Sequence, residues 1–223
     1  MHFSKMVIDL YRVRNAGMAW KRVKRNTRES ERLLQDALQA QKNLDTLCVG
    51  PRRVRWIGRE FQSADFFGID EKWNLVFVET KVSSQQAHLA HQLHERVGRF
   101  VGMDFRHVDA LIWKYVRGKR GDECLMADGL RLRRLAGKGR LERPQEVATR
   151  LKHWIHLRRP SKVRRVRFVA VSPHLNQTFA RQLRQMQINL NRRMGRRGFV
   201  SFACVLLTPY LKNQAIAVAR IHF

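Results

Sequence analysis

Residues 52–82 limit the possible folds of this chain more than any other stretch. Three extended segments follow one another closely: RRVRWIGREF (52–61), SADFFGI (63–69) and NLVFVETKV (74–82). Short polar turns separate them, DEKWN being the second. Alternating apolar segments joined by tight turns form an antiparallel meander. Side chains alternate along a strand. In NLVFVETK this places Leu75, Phe77, Glu79 and Lys81 on one face, and Val76, Val78 and Thr80 on the other.

Helical periodicity flanks the meander. Thr27 or Ser30 can cap a helix over about 28–42, where Leu33, Leu34, Ala37 and Leu38 form a stripe. Leu93, Val97 and Val101 continue the pattern in a second helix over about 84–103. Residues 117–145 are rich in Gly and Arg and read as an insertion with a short hairpin. Then come a helix (146–157), a buried strand (166–171), a helix (175–194) and two closing strands (199–207 and 215–221). The reading is an α/β fold, a mixed sheet flanked by helices, in one domain over 28–223. Residues 1–27 precede it as a first strand (6–13) and a basic arm.

The charge indicates the partner. Lys and Arg total 45 against 18 acids, a net charge of +27. Such a field attracts polyanions, and nucleic acid is the expected partner because binding releases condensed counterions. No apolar run approaches the roughly 20 residues of a spanning helix. The three cysteines, Cys48, Cys124 and Cys204, are far apart and form no CxxC pair. A reducing compartment, cytoplasmic or nucleoid-associated, is therefore expected, with organellar import left open by the basic N-terminus. The sequence sets no oligomeric state and leaves a homodimer open.

Against this basicity, residues 60–81 concentrate five acids: Glu60, Asp65, Asp70, Glu71 and Glu79. Asp65 on one strand and Glu79 on the next can converge on one point. Two such carboxylates suit Mg²⁺ or Mn²⁺, which prefer oxygen ligands. Lys81, two residues on, can orient an attacking water and stabilise charge on a phosphate. The plainer reading of Glu79 and Lys81 is a structural ion pair. Asp70 is an alternative ligand to Asp65, although its position suits the hairpin turn.

The block ADFFGIDEKWNLVFVETK resembles the PD-(D/E)xK nuclease superfamily. More narrowly, it looks like the RecB-like branch, which includes archaeal and actinobacterial mismatch endonucleases. The superfamily's Pro is replaced by Ala64. Gln92 in AHQLHERV falls where the family has a Gln-bearing helix. Glu31, with Glu29 as the alternative, matches its first acidic position. The resemblance implies a restriction-endonuclease-like fold and a metal-dependent endonuclease acting on nucleic acid, DNA first. It implies Asp65, Glu79 and Glu31 as metal ligands, Lys81 at the water and Gln92 as an orienting group.

From Val147 onward there is no acid and there are 16 Lys and Arg. Arg158, Arg159, Arg164 and Arg165, with Arg192, Arg193, Arg196 and Arg197, are the candidate phosphate contacts. His88, His91 and His94 do not form HExxH and read as a solvated helix face. Trp73, at the hairpin turn, is the one tryptophan read as a possible base-stacking residue. The rival functions are a non-catalytic nucleic-acid-binding protein on the same fold and a ribosomal or packaging component.

Overall fold

The computed structural model describes residues 7–12, 35, 38, 39, 44, 45, 53–81, 99–118, 124–137, 160–172, 177–210 and 215–222. The strands are β1 (Val7–Arg12), β2 (Val54–Phe61), β3 (Ala64–Asp70), β4 (Leu75–Thr80), β5 (Arg165–Ser172), β6 (Phe199–Tyr210) and β7 (Ala215–His222). Among the described residues, the α-helices that can be followed from end to end are α1 (Phe105–Arg117), α2 (Ala127–Gly137) and α3 (Gln177–Met194). The strands form one seven-stranded sheet in the order β1-β7-β6-β5-β4-β3-β2. β2, β3 and β4 are the expected antiparallel meander. β4, β5 and β6 run parallel, and β7 and β1 return antiparallel. The fold is α/β with a mixed sheet, and the N-terminal strand belongs to that same sheet. Among the described residues no helix is long and apolar enough to cross a membrane.

The sheet is held by a row of rings. Phe67, Phe77, Phe168 and Phe202 occupy one register level on four adjacent strands. Successive centroids are 5.0, 5.1 and 5.8 Å apart. Each such cross-strand contact contributes roughly 0.2–1 kcal/mol. α1 and α3 close this face with Phe105, Val108, Ile112 and Val116 and with Phe179, Leu183 and Leu190. On the other face Gln35 and Asp45, both helical, reach the sheet: Gln35 bonds Thr80, and Asp45 accepts from Trp56 Nε1 at 3.0 Å. Leu38 and Leu44 are buried there.

Two elements differ from the sequence reading. α1 was not foreseen. Its signal is the N-cap Asp104, which accepts from Arg106 N, ahead of Phe105, Val108, Ile112 and Val116 at helical spacing. Within 117–145, expected to hold a hairpin, residues 127–137 form a helix instead. The chain just before it lies along the free edge of β2: Arg59 N donates to Cys124 O, and Met126 N to Ile57 O. Two glycines permit this approach. A Cβ at Gly129 would lie 1.9 Å from Ile57 O, and one at Gly58 would lie 2.1 Å from the Tyr115 hydroxyl. That hydroxyl lies between the carbonyls of Arg59 and Cys124. Burial raises its pKa well above the ordinary tyrosine value.

The two hairpin turns use different devices. At the β2–β3 turn, Gln62 (φ 50°) and Ser63 (φ 64°) are both left-handed, following Glu60 (φ 53°). Two successive positive φ values suit the twist of a two-residue hairpin. At the β3–β4 turn, Asp70 accepts from Lys72 N (2.9 Å), Asn74 N (2.9 Å) and Asn74 Nδ2 (2.7 Å). Asp70 is therefore committed to the turn, at the end of β4 away from Glu79, and the alternative that made it a ligand is overturned. Trp73 is 2 % exposed and packs edge-on against Phe105 at 5.8 Å. It is a core residue, not a platform for bases.

Candidate active site at the end of the central strand

β4 is buried along its whole length and lies between β3 and β5. Glu79 follows Phe77 on the face that carries the phenylalanine row. Its side chain is 5 % exposed, and that of Lys81 is 21 % exposed. Lys81 Nζ lies 3.6 Å from Glu79 Oε1, an ion pair beyond ordinary N–H···O hydrogen-bonding distance. Lys81 N donates to Val171 O at 2.9 Å, so the backbone carrying the ammonium is anchored to β5. A carboxylate removed from water to this degree is costly unless it is paired and hydrogen-bonded, and Lys81 supplies one cationic partner.

Asp65 is one residue beyond the last β3–β4 ladder pair, Phe66 and Val78, which sets it opposite Glu79. Its Oδ2 accepts from Thr80 N and from Thr80 Oγ1, each at 2.6 Å. Its Oδ1 accepts from Gln35 Nε2 at 2.9 Å. Gln35 Oε1 in turn accepts from Arg59 at 3.1 Å, and Arg59 also donates to Gln39 Oε1 at 2.9 Å. Asp65 is thus seated beside the residue between Glu79 and Lys81. By strand alternation, the Thr80 side chain is on the opposite face from that pair.

The structure therefore gathers Asp65, Glu79 and Lys81 at one end of β4. These bonds hold the Asp65 carboxylate on the Thr80 and Gln35 face, opposite the face that carries Glu79 and Lys81, so an ion shared by Asp65 and Glu79 requires Asp65 to leave these partners. Among the described residues no group of three or more His, Cys, Asp or Glu side chains is assembled for a metal ion. Glu31, Glu29, Gln92, Arg158, Arg159 and the three helix-face histidines lie outside the described residues. Sequence reasoning missed Gln35 and Thr80, which hold Asp65. The signal available was their position, Thr80 within the ExK triplet and Gln35 one turn after Glu31.

The candidate phosphate contacts are elsewhere. Arg164 and Arg165 are at the start of β5, Arg192 and Arg193 close α3, and Arg196 and Arg197 belong to the 3-10 turn of Gly195–Arg197. β4 and β5 run parallel with Leu75 beside Val166 and Thr80 beside Val171. These arginines are therefore at the opposite end of the sheet from Glu79 and Lys81.

No family model, no curated protein and no solved structure matches this chain.

Proposed function

We propose that the chain is a metal-dependent nuclease with a restriction-endonuclease-like fold, cutting phosphodiester bonds in nucleic acid, DNA first. The observation that carries this reading is the Glu79–Lys81 pair, nearly buried at the C-terminal end of a central strand, with Asp65 seated beside it. In open α/β sheets, ligands bind outside the carboxyl ends of the strands. The net charge of +27 suits a polyphosphate substrate.

In this reading Glu79 would hold Mg²⁺ or Mn²⁺ with Glu31, and Asp65 would join them by turning away from Thr80 and Gln35. When bound, such an ion neutralises charge on the scissile phosphate and makes a coordinated water easier to ionise. The donor set is all oxygen, as these ions prefer. Lys81 keeps its ammonium beside the Glu79 carboxylate, where it can orient the attacking water and stabilise charge accumulating on phosphate oxygens. Gln92 orients Lys81 or the water. Thr80 and Gln35 would hold the Asp65 carboxylate when no ion is bound.

The test is cleavage of plasmid and of labelled duplex with Mg²⁺ or Mn²⁺, with and without EDTA. Glu79→Gln and Lys81→Ala should each lower the rate at least 100-fold with an unchanged circular dichroism spectrum. Activity within a few-fold of the unsubstituted protein in both variants would sink the assignment.

A second reading is a non-catalytic nucleic-acid-binding protein on the same fold. It is favoured by the local pairing itself: Lys81 partly neutralises Glu79, and Asp65 has donors on both oxygens. That reading expects EDTA-insensitive binding and no cleavage.

A further inference from the structure

The N-terminal ends of β5 and β6 form a cationic surface with an aromatic ring in it. Arg165 and Phe199 are register partners, and Phe199 N donates to Arg164 O at 2.7 Å. The Arg165 guanidinium lies 5.1 Å from the centre of the Phe199 ring. Phe199 is 40 % exposed, the most exposed large hydrophobic among the described residues. Arg192 and Arg193 close α3 and Arg196 lies in the 3-10 turn that leads into β6, so all three belong to the same end of the sheet; all are exposed, as are Arg164 and Arg165. α3 is tied to this spot by Asn191, which bonds both Val200 N (2.8 Å) and Val200 O (3.0 Å). Cations in a last helical turn also complement the helix dipole. That accounts for Arg192 and Arg193, but not for Arg164, Arg165 or the exposed ring.

We propose that this end of the sheet is a second nucleic-acid contact surface, separate from the catalytic pair. It grips the phosphodiester backbone through the five arginines and places Phe199 against a base or sugar. The proposal rests on the nuclease reading for its biological sense, but not for its test. From Arg165 to Ala170, which faces Glu79, is five strand residues, and to Ser172 is seven. At ~3.3 Å per residue the two surfaces are about 17–23 Å apart. At ~3.4 Å per base step this is roughly five to seven nucleotides. The arginine surface therefore holds a different part of the strand from the part being cut.

The experiment measures binding of the full chain to a fluorescein-labelled 30-base-pair duplex by anisotropy, in EDTA, from 50 to 300 mM salt. The variant carries Arg192→Gln, Arg193→Gln and Arg196→Gln. The slope of log K against log salt should flatten by roughly 0.7–0.9 for each lost contact, for unrelated sequences alike. A triple Arg→Lys variant should keep the slope, and Phe199→Ala should weaken single-strand binding several-fold without changing it. If the Gln variant fails to fold, Phe199→Ala and the Arg→Lys variant carry the test. An unchanged slope in the folded Gln variant overturns the proposal. So does unchanged single-strand affinity in Phe199→Ala, and so does capture by phosphatidylserine vesicles in place of the duplex. Binding in EDTA is read apart from the Mg²⁺ cleavage assay above, so a protein that binds through these arginines but cuts nothing in that assay refutes only the nuclease reading. One that cleaves with an unaltered slope refutes only this surface.

Discussion

Asp65 meets Thr80 twice through a single oxygen: Oδ2 accepts from the Thr80 backbone N–H and from its hydroxyl, both at 2.6 Å. Asp65→Asn replaces one acceptor oxygen with a donor and sets it against Thr80 or against Gln35. Leaving such groups unsatisfied costs about 1–3 kcal/mol. The expected outcome is a lower urea midpoint together with loss of cleavage. Thr80→Val removes only the hydroxyl and should lower stability by about 1 kcal/mol while cleavage persists. Equal loss of cleavage in both variants would make Asp65 a positioning residue for Thr80 and not a ligand.

Asp128 predicts an inverted pH response. It is 2 % exposed, its Oδ2 accepts no hydrogen bond, and Arg55 and Arg131 are 3.7 and 3.9 Å away. Burial raises its pKa above the ordinary 3.8, against the pull of those arginines. The folded state therefore holds this proton to higher pH than the unfolded chain does. Its contribution to stability is greatest below the unfolded pKa and is lost as pH rises from there through the folded value. Asp128→Asn should remove this response, so the variant should gain on the parent as pH rises through that window. A stability difference that stays flat over the same pH series would refute the raised pKa.

The contact between Gly58 and Tyr115 should be intolerant of a methyl group. Gly58→Ala places carbon 2.1 Å from the hydroxyl and 2.6 Å from Cys124 O. Destabilisation of about 1–3 kcal/mol is expected from overpacking. Tyr115→Phe in the same chain should relieve part of it, because one of the two clashing oxygens is gone while the carbonyl stays. A double-mutant cycle in urea measures this coupling, and strict additivity would contradict the geometry.

Ser63 should accept glycine with a gain. Its φ of 64° is left-handed, and that conformation costs an L residue roughly 1–2 kcal/mol. Ser63→Gly should raise the unfolding midpoint without altering the cleavage rate. No rise in the midpoint would mean the turn relaxes in solution.

The meander was legible because alternation is a local signal, and NLVFVETK shows it without interruption. The same alternation put Glu79 and Lys81 on one face, where the structure has them 3.6 Å apart. It did not foresee Asp65's attachment to Thr80. Positive φ at Glu60, Gln62 and Ser63 bends the chain just before Asp65, and no hydrophobic pattern reports that bend. α1 escaped because Val108, Ile112, Val116 and three aromatic residues are weak helix formers, so propensity masked a sound periodicity. α2 escaped because glycine was taken for a loop signal, whereas Gly129 is where a helix passes close to the Ile57 carbonyl. Trp73 was read from its position in a turn, but its ring folds inward onto Phe105.

The tie between α3 and β6 also protects the sheet from other chains. β7 pairs with β6 from Ala203 onward, so among the described residues no strand pairs with 199–202 on that side. Asn191 occupies both Val200 backbone groups there, and Gln187 Oε1 accepts from Phe202 N at 2.6 Å. Helix amides thus stand where a strand would otherwise add. An unpaired sheet edge invites chain-to-chain pairing and aggregation. Here Val200 N, Val200 O and Phe202 N are already taken by side-chain amides, so a polyanion that gathers many copies of this protein brings together edges whose first donors and acceptor are engaged.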